Sequence, residues 1–108
     1  MRENDKLLIN NVRMNASITS SAFDLVHKYV YCIQAVWTGA GVDGTFKLQA
    51  SNDNSNWEDI ASSATVAAGA GSYMWNVNAV GYRYVKVVFT KAGASDGYVS
   101  VTINVKGA

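Results

Sequence analysis

Hydrophobic positions recur along this chain mostly with period two. Val99, Val101, Ile103 and Val105 alternate with Ser100, Thr102, Asn104 and Lys106. Successive side chains of a strand point to opposite faces, so this stretch predicts a strand that is aliphatic on one side and polar on the other. Thr45 to Ala50 reads the same way, with Phe46, Leu48 and Ala50 inward and Lys47 and Gln49 outward. In Tyr82 to Thr90, Val85, Val87 and Phe89 share one side, and Tyr84, Lys86 and Val88 the other. The run from Tyr29 to Thr38 is apolar on both faces apart from Gln34, the pattern of a strand with neighbours on both sides. Ser72 to Val77 and the brief Trp57 to Ile60 add shorter strands. Leu7 to Ser20 adds one or two, with Ile9, Met14, Ala16 and Ile18 as candidate inward residues. No window sustains helical spacing over three turns. Ser21 to Lys28, with Phe23, Val26 and His27, offers at most one helical turn.

Turn-forming residues punctuate these segments. Gly39 to Gly44 and Ser51 to Asn56 each carry Gly, Asn or Asp, which accept turn dihedrals or bond their own backbone. Ala67 to Gly71 reads as a bend, and Ala92 to Gly97 contains an Asp-Gly pair, a cue for a hairpin. Short alternating strands with turns about every ten residues predict an all-β, antiparallel two-sheet sandwich. Residues 21–108 form that domain, and residues 1–20 are an N-terminal arm or an edge strand. With no proline in the chain, edge protection falls to charges, bulges or a partner.

Composition narrows the function. The 108 residues carry a net charge of +1 and only 16% charged residues. No basic field is present to neutralise nucleic-acid phosphates. No apolar run is long enough for a membrane-spanning helix. The mixed charges of Met1 to Lys6 do not make a signal peptide. One cysteine, Cys32, excludes an internal disulfide.

Candidate chemistry is sparse. His27 is the single histidine, so a Ser-His-Asp triad or a histidine-rich metal site lacks its ligands. His27 reads as a surface or turn residue and Cys32 as a small buried one. Glu58 and Asp59 are adjacent and diverge on a strand, unlike the facing carboxylates of glycosidases. The oxygen-rich run Asn52 to Asp59 has the ligand types of a calcium loop but no EF-hand glycine, and an Asx-rich turn accounts for it. The expectation is no enzyme, no cofactor and no metal.

Aromatics are abundant, with three Trp and six Tyr. Most fill a core, but not all fit one. Tyr82, Tyr84 and Tyr98 are candidate partner contacts, because exposed tyrosines amid few charges resemble interface cores. Stacking on a sugar is the rival use. Leu7, Leu8 and Ile9 follow a charged hexapeptide, either as an edge strand or as an arm docking on another subunit.

Several spaced motifs carry a resemblance. Ile-Gln-Ala-Val-Trp-Thr-Gly (33–39), Phe-Lys-Leu-Gln-Ala-Ser-Asn-Asp (46–53), Tyr-Met-Trp-Asn-Val (73–77) and Gly-Tyr-Arg-Tyr-Val-Lys-Val-Val (81–88) resemble small tailed-phage virion proteins over residues 23–107. The motifs Leu-Gln-Ala-Ser-Asn-Asp and Tyr-Arg-Tyr-Val-Lys-Val are also similar to framework strands of discoidin-type, galactose-binding-like jelly rolls. The first resemblance implies a structural component of the virion, made in the host cytoplasm. A capsid decoration protein that binds the major capsid protein and itself, as a homotrimer, is the expectation. The second implies a jelly-roll-like sandwich and keeps a carbohydrate-binding module, with a glycan as partner, as the alternative.

Overall fold

A computed structural model describes residues 5–25, 30–60, 64–66, 71–77, 82–92 and 96–106. Within them the chain forms β1 (Asp5–Arg13), β2 (Ile18–Thr19), β3 (Phe23–Asp24), β4 (Val30–Gly41), β5 (Gly44–Ser51), β6 (Glu58–Asp59), β7 (Ala64–Val66), β8 (Gly71–Val77), β9 (Tyr84–Lys91) and β10 (Asp96–Lys106). One antiparallel sheet has the order β1-β10-β4-β8. The other runs β2-β9-β5-β6, with β3 also on β9 and β7 also on β5. The two sheets face each other as a jelly-roll-like sandwich.

The long strands fall where period two places them. β10 buries Val99, Val101, Ile103 and Val105 and turns Tyr98, Thr102, Asn104 and Lys106 to solvent. Opposite them, Phe46 and Leu48 of β5 and Val85, Val87 and Phe89 of β9 are fully buried. Phe46 sits at the centre. Its ring stacks on Trp37 at 5.6 Å and meets Phe89 at 4.9 Å and Trp75 at 6.5 Å. Burying one such side chain contributes roughly 1.5–3 kcal/mol. The doubly apolar run becomes β4, hydrogen-bonded to β10 on one side and β8 on the other.

Turns behave differently from their sequence cues. β4 and β5 lie in different sheets, so the Gly-rich stretch between them is an arch across the sandwich. β9 and β10 also lie in different sheets, and Asp96-Gly97 is not the tip of a hairpin. It marks a register slip in β10 against β4, between Asp96 and Tyr98. Gly97 has φ +152°, and a Cβ there would meet the Thr38 carbonyl at 2.4 Å. The backbones therefore approach too closely for any side chain.

Phe23 and Asp24 form a short strand rather than part of a helical turn, because β3 pairs Phe23 with Val85 and Asp24 with Tyr84, and no helix is present over 21–25. Val26, His27, Lys28 and Tyr29 lie outside the described residues, as does most of the expected bend at 67–71. Ala16 is exposed, not inward, whereas Met14 is fully buried and Ile18 packs against the core. Residues 5–13 pair along β10 as β1, with register slips between Leu7 and Ile9 and between Ile9 and Val12. A regular strand would send Leu8 and Ile9 to opposite faces. The slip lets both enter the interior, at 7% and 3% exposure.

Candidate interaction surface

Cross-strand register sets out the outer face of the four-stranded sheet row by row. Asn104, Cys32 and Asn76 form one row across β10, β4 and β8. Thr102, Gln34 and Met74 form the next, and Ser100, Val36 and Ser72 the third. Tyr98 and Thr38 follow. No charged side chain interrupts these rows. On β10, β4 and β8 charge stands at the ends of β10, in Lys106 and Asp96, and the flanking β1 adds Asp5 opposite Asn104 and Arg13 opposite Tyr98. Arg13 donates two hydrogen bonds to the Asp96 carboxylate at 2.9 and 3.0 Å. Met74 is 49% exposed, Tyr98 46% and Val36 44%. Two shallow depressions of about 270 and 350 Å³ share Cys32 and Asn104 in their walls. Cys32 itself is half-buried and faces outward, because Tyr31 and Ile33 take the inward positions on either side of it. Partial burial pushes its thiol pKa up, away from the reactive thiolate.

The outer face of the six-stranded sheet is different in kind. Lys47 reaches Asp59 at 3.5 Å, and Gln49 donates to the same carboxylate. Lys86 lies 4.1 Å over the Trp57 ring. Arg83 grips Asp24 with two hydrogen bonds and lies over Tyr84. These groups partner one another.

Where the β5–β6 loop meets Tyr82, a cleft of about 370 Å³ opens, with Ala50 and Ile60 below and Asn52, Asn56 and Glu58 on its rim. Asp53 organises that loop. Its carboxylate accepts from the Asn56 and Ser55 backbone amides, from Asn56 Nδ2 and from Ser51 Oγ. Those donors, the backbone amides first, hold its pKa well below the usual carboxylate range. The oxygen-rich run is thus an Asx-type turn whose central carboxylate is taken up by its own loop. Among the described residues no three His, Cys, Asp or Glu side chains cluster to hold a metal.

The six expected contact residues separate. Tyr98 and the half-buried Leu7, opposite Thr102, lie on the neutral face. Leu8 and Ile9 are inside the sandwich, where its own core already covers them. Tyr82 packs half-buried against the core, its hydroxyl on that of Tyr31. Tyr84 lies on the charged sheet beside Arg83. The sequence reading missed Val36 and Met74. The apolar run around Val36 suggested cover on both faces, and only the register shows that its outer face is open.

No protein-family model matches the sequence, and no curated protein matches it either. Solved structures do match. The SPBc2 prophage-derived protein YomS superposes with a TM-score of 0.64 at 12% identity, over 94% of this chain and 91% of that one. The PBSX exported protein XepA gives 0.70 at 19% identity over 96% of this chain, which spans only 37% of XepA. A domain produced by Clostridium perfringens, CpGH89CBM32-6, gives 0.55 at 18% identity over 100% and 97%. The likeness is one of fold. Both resemblances drawn from the sequence, to phage-associated proteins and to discoidin-type jelly rolls, recur among these structures.

Proposed function

We propose that this chain is a non-enzymatic structural module of a phage particle, a decoration protein that docks on the head shell. The neutral outer face of β10, β4 and β8 carries the reading. Hydroxyl, amide and aliphatic groups shed water at far lower cost than charges, so such a face can be covered without a matching set of counter-charges. Tyr98, Val36 and Met74 supply the exposed apolar area that interface centres use. Repetition over a symmetric shell would turn modest single contacts into high avidity. The shared fold with the SPBc2 prophage-derived protein YomS supports this setting.

Purified particles probed by mass spectrometry should contain the chain in many copies. Val36→Glu and Thr102→Glu should abolish binding to undecorated shells, and Lys86→Glu on the opposite sheet should leave it intact. Absence of the chain from particles would overturn the proposal.

A second reading, a glycan-binding module, has the cleft beside Tyr82 in its favour, with its apolar floor and amide and carboxylate rim. Glycan-array binding that is lost in Tyr82→Ala and kept in Val36→Glu would select it.

A further inference from the structure

The two edges of the four-stranded sheet are built differently. β1 is guarded: it is slipped twice against β10, has Asn11 in a left-handed conformation at φ 51°, and carries Lys6 and Arg13. β8 has none of these devices. It pairs with β4 over seven consecutive residues without a slip, and its sequence Gly-Ser-Tyr-Met-Trp-Asn-Val holds no charge and no proline. β8 also ends the strand order, so among the described residues nothing pairs with its outer edge. A straight, uncharged edge is a template for another strand, and soluble proteins normally blunt such edges.

The sequence of β8 identifies that strand. It is self-complementary about Met74, with Tyr73 and Trp75 on either side, then Ser72 and Asn76, then Gly71 and Val77. We infer that β8 pairs antiparallel with β8 of a second copy across a two-fold axis at Met74, joining two four-stranded sheets into one of eight. In this register Met74 meets its own counterpart on the outer face. Ser72 lies opposite Asn76 of the second copy, two groups able to hydrogen-bond. On the inner side, the exposed Tyr73 lies opposite Trp75 of the second copy and extends the edge-on ring contact that Tyr73 makes within the chain at 4.9 Å. No like charges meet, and the contact is isologous, so it closes at two copies. The inference rests on the reading of the chain as a building unit and names the contact through which copies join. It gives two-fold symmetry where a symmetric shell alone suggested three.

Light scattering at micromolar concentration should give the mass of two chains. Met74→Lys, which sets two like charges across the axis, should give the mass of one, and Thr102→Lys, on the same face but two strands away, should stay paired. In a Cys32→Ser background, Met74→Cys should form a covalent dimer on mild oxidation, because directly opposed strand residues lie at about the Cα spacing a disulfide needs. Thr102→Cys should not. A monomeric wild type, or dimers untouched by Met74→Lys, would overturn the inference. If the disulfide forms while the chain is missing from purified particles, the pairing stands and the particle role fails.

Discussion

The hydroxyl of Tyr82 lies 2.5 Å from that of Tyr31, which ties the segment entering β9 to the central strand of the opposite sheet. Their rings meet edge to face at 6.3 Å. Each phenol gives the other a partner where water is scarce. Tyr31→Phe should therefore cost about 1 kcal/mol, as should Tyr82→Phe. The double variant should cost less than the two losses added, because it strands no polar group. Urea unfolding of all four proteins gives the coupling energy.

The same pair sets a pH limit. Burial, reinforced at Tyr31 by its hydroxyl partner, raises the pKa of Tyr31 above its ordinary value, and burial raises that of Tyr82. A raised folded pKa favours the neutral phenol, so this stability is complete below the unfolded value near 10 and declines as pH rises beyond it. The unfolding midpoint should fall between about pH 10 and 11, and in the Tyr31→Phe, Tyr82→Phe variant that fall should be smaller.

Asp53 works in the opposite direction. Its carboxylate is lowered by four donors of its own loop, so its contribution is present above the unfolded pKa and is lost as pH falls. The Ser55 and Asn56 amides should keep their protection from hydrogen exchange through the ordinary carboxylate range near pH 4. In Asp53→Ala that protection should be lost at every pH, while the amides of β5 and β9 stay protected.

Gly44 has φ +152°, and a Cβ there would stand 2.4 Å from the Thr90 carbonyl and 2.5 Å from the Phe89 ring. Both neighbours belong to β9, and the ring is packed on Phe46. Gly44→Ala should therefore lose roughly 2–4 kcal/mol, combining backbone strain with overpacking. A lower urea midpoint with an unchanged slope is the expected signature.

Ile9 tests what the first strand does for the isolated chain. As a core residue it should cost about 2–5 kcal/mol on replacement by Ala. If Ile9→Ala unfolds at the wild-type midpoint, the segment is not held in the sandwich as described.

Much of the fold could be read from the sequence because period two survives wherever one face is wet. β5 and β10 alternate cleanly, β9 keeps period two although Tyr84 and Val88 make its other side partly apolar, and each strand lies where the alternation puts it. β1 was harder, since Leu7, Leu8 and Ile9 break the alternation: Leu7 stays on the outer face, and only a slip in pairing brings the adjacent Leu8 and Ile9 to the same buried face. Asp96-Gly97 misled because the residues that favour a hairpin tip also favour a bulge. The interaction face was half legible. Tyr98 stands out as an aromatic in phase with polar neighbours, whereas Val36 is hidden in a run that looks buried throughout. Whether its outer face is covered depends on which strands and layers lie beside it, and that is a property of topology rather than of local pattern.

The chain changes sheet at each step from β7 to β8, β8 to β9 and β9 to β10, as it did from β4 to β5. The four-stranded layer therefore contains no pairing of consecutive strands and the six-stranded one only that of β5 with β6, and the pairing of β1 with β10 must wait for nearly the whole polypeptide. Loop-closure entropy is spent before most contacts repay it, which places folding in the slow range of milliseconds to seconds. During that interval the uncharged β8 segment is without its native neighbour β4, so productive folding competes with aggregation through that strand. Yield on refolding should fall as protein concentration rises, and β8 is where a single added lysine would do most to restore it.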